Sequence, residues 1–150
     1  MSSIEQFDLF CTTCGISKPK GLLIRLYSRV FLVPDSLKSI LSKFQPRYIG
    51  ECLGSIRKNT FFPSQLFLQK YCQQLARYEL SRAVAKKFIY GKDIALNDKD
   101  RRSTQYVVVT SEDIPLGIGK IENRMLYNVF DIGQSLRNEI FSSPHKKSAV

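Results

Sequence analysis

The stretch "QYVVVTSEDIPLGIGKI", residues 105–121, restricts the fold more than any other part of the chain. A β-branched and aromatic run, 105–110, is followed by the turn-like 111–115 and then by 116–121, where glycine alternates with apolar residues. The pattern predicts a β-hairpin with a loop of about five residues. Pro115 falls at the entrance of its strand, where a missing N–H costs least. Period-2 alternation puts Leu116 and Ile118 on one face and leaves Gly117 and Gly119 bare on the other. Bare strand faces are needed where another backbone passes closely, so the glycines predict a tightly curved barrel. They do not make a nucleotide loop. A P-loop requires two glycines five apart and a hydroxyl after its lysine, but Gly117 and Gly119 are two apart and Ile121 follows Lys120. A dinucleotide fingerprint requires a third glycine and an immediate helix, and a strand-like run follows instead.

At 150 residues the chain suffices for one ordinary domain or two small ones, and 43% hydrophobic residues supply real cores. No apolar run approaches a membrane span, and the N-terminus lacks the pattern of a secretion signal. The expectation is a soluble protein in a reducing compartment. Lys and Arg number 23 against 13 acids, a formal net charge of +10. Such an excess on a small chain favours an acidic partner, most often nucleic acid. It is uneven: 1–77 carry +7 and 78–150 carry +3. Cys11 and Cys14 invite a zinc reading, but Cys52 and Cys72 supply no second pair at matching spacing. Ile4, Phe7, Cys11 and Cys14 recur at helical spacing, Ser3 and Gln6 form a capping box, and Gly15 marks a stop. The two cysteines therefore read as packed helix-face residues, with no metal and no cofactor.

Beyond this first helix, 21–34 reads as two strands joined at Ser28-Arg29. A helix over 36–44 follows, with Leu37, Ile40, Leu41 and Phe44 as its apolar stripe. A strand over 47–59 ends in a turn that exposes Arg57 and Lys58. A short strand bearing Pro63 and a helix over 67–76 complete an α/β unit ending near Arg77. The pattern restarts at Tyr78. A helix over 82–91 turns Ala85, Phe88 and Ile89 inward and Lys86 and Lys87 outward. The polar loop 97–104, the hairpin, a strand over 125–130, and a helix opened by Asp131 follow. The reading is α+β: an N-terminal α/β domain with an antiparallel sheet, 1–77, packed against a C-terminal β pseudo-barrel, 78–141, with a flexible tail at 142–150.

Tyr90-Gly91, "DIPLGIG" (113–119) and "DIGQSLRNE" (131–139) resemble a PUA domain, and more closely that of the Nip-seven family of 60S ribosome biogenesis factors. The similarity runs back through Gly50, Cys52, Gly54, Lys58, Phe62 and Tyr78. The resemblance implies a PUA pseudo-barrel that binds pre-rRNA and an N-terminal domain that docks on pre-60S assembly proteins. It also implies a nuclear and nucleolar location and a monomer outside the particle. Two departures stand out: the first helix is shorter than the family's, and "LNDKDRRST" replaces its glycine-containing loop.

An RNA surface needs cations for phosphates and groups that stack bases or read shape. Lys86, Lys87, Lys92, Lys99, Arg101 and Arg102 lie close in sequence, and Lys120 and Arg124 flank the hairpin. These eight are the expected RNA contacts, with Arg57 and Lys58 as secondary ones. Each alone reads equally well as a solvated charge. Catalysis has little support: the single histidine, His145, lies in the tail, and Glu112 and Asp113 read as solvated turn carboxylates. The expected function is that of a non-catalytic RNA-binding assembly factor. The alternatives are an accessory RNA-binding subunit of an RNA-modification complex and a protein-interaction scaffold.

Overall fold

Three two-residue turns set much of the topology. Lys58-Asn59, Glu112-Asp113 and Asn123-Arg124 all have both residues at positive φ, between 49° and 63°. This is the type I′ geometry, whose twist matches that of the flanking strands. The structure, a computed structural model, describes residues 4–97 and 104–133. The chain divides into two units, 1–75 and 76–150.

In the first unit, helix α1 (Glu5–Cys14) precedes strands β1 (Leu22–Leu26) and β2 (Arg29–Val33). A 3-10 turn at Asp35–Leu37 leads into α2 (Lys38–Lys43), followed by β3 (Glu51–Arg57), β4 (Thr60–Pro63) and α3 (Gln65–Lys70). The four strands form an antiparallel sheet in sequence order, with Pro63 on the edge strand. Phe31 and Val33 pack with Leu37, Ile40 and Leu41 of the helical segment. On α1, Phe7 meets Phe61 and Phe67 edge-on, at ring centroid distances of 4.9 and 5.8 Å. Such pairs are worth about 1 kcal/mol each beyond the area they bury.

Helix α1 buries Phe7, Cys11 and Cys14, the face expected from the spacing. Gly15 ends it in a left-handed conformation (φ 72°), and its N–H and that of Ile16 close on Thr12 and Cys11 carbonyls. Ile4 occupies the cap position with no side-chain hydrogen bond; Ser3 lies outside the described residues. Burial pushes the Cys11 thiol up to about 12, that of Cys14 to about 11 and that of Cys72 to about 12.

Two expectations for this unit need correction. Helix α3 begins at Gln65, because the Ser64 hydroxyl accepts from the Phe67 N–H and caps it, and it stops at Lys70. Phe44 is 67% exposed, since the chain turns extended at that residue and the stripe stops at Leu41.

The second unit holds β5 (Ala76–Glu79), α4 (Arg82–Ile89), the two-residue β6 (Ile94–Ala95), β7 (Gln105–Ser111), β8 (Ile114–Glu122) and β9 (Met125–Asp131). Ala76, expected to close a helix, instead opens a strand, Ala76–Glu79, that runs parallel to β7. The sheet order is β5-β7-β8-β9-β6, and the remaining pairs are antiparallel. It is a curled half-barrel, and the fold class is α+β. Val107, Val109, Leu116, Ile121 and Leu126 pack with Phe88 of α4 in its core.

The β7–β8 loop is Glu112-Asp113, not the expected five residues, because Ser111 already pairs with Ile114. Pro115 sits within the strand entrance, opposite Thr110. Between Val109 and Thr110 the partner jumps from Gly117 to Pro115, so Leu116 is an extra residue on β8. That bulge breaks the expected alternation: Leu116 joins the core, while Ile118 is buried outside that cluster. The glycines do serve close packing. A Cβ on Gly117 would strike the Phe130 carbonyl oxygen, and one on Gly119 would strike the Leu126 and Val109 side chains. Asp131 lies at the end of β9; the helix expected after it lies outside the described residues from residue 134 on, as does the tail.

Candidate nucleic-acid interface

The β7–β8 turn is anchored by a carboxylate from β5. Glu79 accepts from the Thr110 hydroxyl and from the Glu112 N–H, each at 2.5 Å. The Thr110 hydrogen bond, foremost among its partners, holds its carboxyl below the usual range. Glu112 in turn accepts from Arg82 Nε and Nη2 at 3.1 and 2.8 Å. Both side chains are exposed, so this pair orients Arg82 more than it stabilises the fold. Between the turn and α4 lies a cleft of about 310 Å³, lined by Arg82, Ala85, Lys86, Ile89, Ile114 and Leu116 among others.

Helix α4 starts where Ser81 Oγ accepts from the Val84 N–H at 3.4 Å. Its amphipathic register buries Ala85 and Phe88, leaving Lys86 and Lys87 exposed in the last turn. Cations there also suit the negative end of the helix dipole, so they have a structural use besides any ligand. Gly91 follows at φ 85°, with Lys92 exposed beside it. Asn128 on β9 fixes this helix end. Its amide donates to the Phe88 carbonyl at 2.7 Å and to Asp131 Oδ2 at 3.0 Å, and its backbone N–H donates to Asp93 Oδ1 at 2.8 Å. No local spacing in the sequence signals this residue.

The hairpin cations lie at the other end of β8. Lys120 is part-buried, 5.8 Å from the Tyr106 ring centroid and 3.4 Å from Glu122 Oε2. Arg124 is exposed in the next turn, and its carbonyl accepts from the Leu96 N–H at 2.9 Å. The described chain stops at Asn97 just beyond Leu96 and resumes at Thr104, next to the Gln105–Ile121 pair. Lys99, Arg101 and Arg102 lie outside the described residues. Of the eight expected contacts, the structure thus brings Lys120 and Arg124 to one hairpin end. It groups Lys86 and Lys87 on α4 with Lys92 just after it. In the first unit, Arg57 and Lys58 are exposed at the β3–β4 turn, with the Arg57 guanidinium 5.9 Å from the Phe62 ring centroid.

Among the described residues, no group of three or more His, Cys, Asp or Glu side chains is placed to hold a metal ion. No described helix is long and apolar enough to cross a membrane. A search of curated proteins finds no match to the chain. Residues 76–133 match the family model described as the PUA domain of the methyltransferase RsmF. That span runs from the first residue of β5 to just past β9 and takes in the whole described barrel. The second unit is built around a PUA domain.

Proposed function

We propose that the chain is a non-catalytic RNA-binding protein whose main RNA surface lies on the second unit. The observation that carries this reading is the PUA match over 76–133, a domain type that suggests RNA binding. The exposed cations Lys86, Lys87, Lys92 and Arg124 on that same unit support it. Exposed lysines and arginines suit phosphate, because each contact releases counterions condensed on the nucleic acid. The resemblance to the Nip-seven family extends the proposal to large-subunit ribosome assembly and pre-rRNA processing in the nucleolus. The first unit then docks on assembly proteins and adds weaker phosphate contacts through Arg57 and Lys58.

A second reading, an accessory RNA-binding subunit of an RNA-modification complex, draws on the description of the matched family, which names a methyltransferase. Copurification separates the two: pre-60S particles for the first, a modification complex for the second. The RNA-binding claim itself is tested by titrating the full chain with single-stranded and pre-rRNA fragments across a salt series. Affinity should fall steeply as salt rises. Replacing Lys86, Lys87, Arg101 and Arg102 together by Ala should weaken binding by orders of magnitude at moderate salt. An affinity flat across salt would refute the electrostatic reading.

A further inference from the structure

Strand pairing in the second unit places three side chains in one row. Tyr106 on β7 is opposite Lys120 on β8, and Lys120 is opposite Tyr127 on β9. Directly paired residues point to the same face of a sheet, about 5 Å apart. The row is therefore aromatic, cation, aromatic across three strands. Its next rank, Val108, Ile118 and Phe130, is buried, so the three lie where the apolar surface gives way to solvent.

The members of the row are not equivalent. Lys120 Nζ stands 5.8 Å from the Tyr106 ring centroid and 3.4 Å from Glu122 Oε2, so the ring and the carboxylate orient the ammonium. Tyr127 is 39% exposed, too open for a core ring. An exposed tyrosine on a strand is commonly just a good strand former. Two features argue for more: a cation is its direct cross-strand neighbour, and Arg124 stands in the turn that opens its strand.

We infer that Tyr127 is a stacking platform for one unpaired base of single-stranded RNA, with Lys120 and Arg124 contacting the flanking phosphates and Tyr106 positioning Lys120. Aromatic rings on a sheet beside a basic rim are a recurrent solution for single strands, because every base offers a π-face and a backbone charge. A base-paired duplex hides those faces, so the platform selects unpaired segments. Glu122 partly neutralises Lys120, which leaves the base contact as the more selective part of the site. This inference rests on the RNA-binding reading and adds the class of ligand feature recognised.

The test uses the full chain, a single-stranded RNA oligonucleotide and the same oligonucleotide with abasic positions, which keep the phosphates and lose the bases. The chain has no tryptophan and seven tyrosines, so quenching of tyrosine fluorescence reports binding directly. Wild type should bind the intact strand about tenfold more tightly than the abasic one, as expected for one stacked base. Tyr127→Leu should lose that preference while holding the abasic strand as wild type does, and Tyr127→Phe should keep it. Equal wild-type affinity for the two strands would overturn the platform whether or not the leucine variant folds. So would a leucine variant that retains the preference. Wild type that binds neither strand even at low salt would refute the RNA-binding reading as a whole, and the platform with it.

Discussion

At the β3–β4 turn, Lys58 and Asn59 take φ values of 49° and 60°; at the β8–β9 turn, Asn123 and Arg124 take 49° and 62°. Each hairpin also sets a cation near an aromatic ring: Arg57 at 5.9 Å from Phe62, and Lys120 at 5.8 Å from Tyr106. The surroundings differ. In the first unit Arg57 stands at the end of β3, beyond its last register pair with β2, and its cross-strand partner is Thr60 on β4, not a ring. In the second unit β8 is central, and Lys120 has a tyrosine on each neighbouring strand. The same turn geometry and the same sign of charge therefore make different surfaces. A charge at a strand end has one cross-strand neighbour, while a charge paired on both sides becomes the middle of a row.

The largest effect should come from disturbing the central strand itself. Gly117→Ala would drive a methyl group into the Phe130 carbonyl on β9, where backbone has little room to retreat. It should destabilise the chain by about 3 kcal/mol, read as a lowered urea midpoint. Gly15→Ala in the first unit meets nothing within 4 Å and carries only the strain of φ 72°, about 1 kcal/mol. Equal losses at the two positions would show that close packing does not shape the second hairpin.

A pH-dependent effect also separates the units. All four cysteines lie in the first unit. Burial raises Cys11, Cys14 and Cys72 from an ordinary value of 9.0 to about 12, 11 and 12. The unfolded chain releases these protons from about pH 9, whereas the folded chain holds them. Stability of the first unit should therefore fall as pH rises through 9, by about 1.4 kcal/mol per pH unit for each fully effective thiol. Alkylation of the buried thiols, measured against denaturant at pH 8, 9 and 10, reports that opening directly. An opening free energy independent of pH would contradict the burial.

What the sequence disclosed was local chemistry. Gly15 and Gly91 as helix stops, Pro63 on an edge, and Ala85 and Phe88 as the inner face of α4 each follow from a few adjacent residues. What it concealed was register. Glu112-Asp113 lacks the glycine that usually marks a type I′ turn, so the loop looked longer than it is. The bulge at Leu116 depends on how β8 meets β7, and β6 is too short to leave a pattern. The tightness at Gly117 and Gly119 was legible because only a close neighbour requires two bare positions. The site followed the same division. The cations of α4 and the hairpin stood out by composition, whereas Tyr106, Tyr127 and Asn128 gain their roles from partners on other elements.

The measurement that bears most directly on the account compares the salt dependence of single-stranded RNA binding for three full-length chains. These are wild type, Lys120→Ala with Arg124→Ala, and Arg57→Ala with Lys58→Ala. Each lost phosphate contact should flatten the slope of log affinity against log salt by about 0.7 for a single strand. The account predicts a flattening of about 1.4 and a clear loss of affinity for the second-unit pair, with a distinctly smaller change for the first-unit pair. A first-unit variant that loses binding while the second-unit variant binds as wild type would place the RNA surface on the wrong unit and contradict the account.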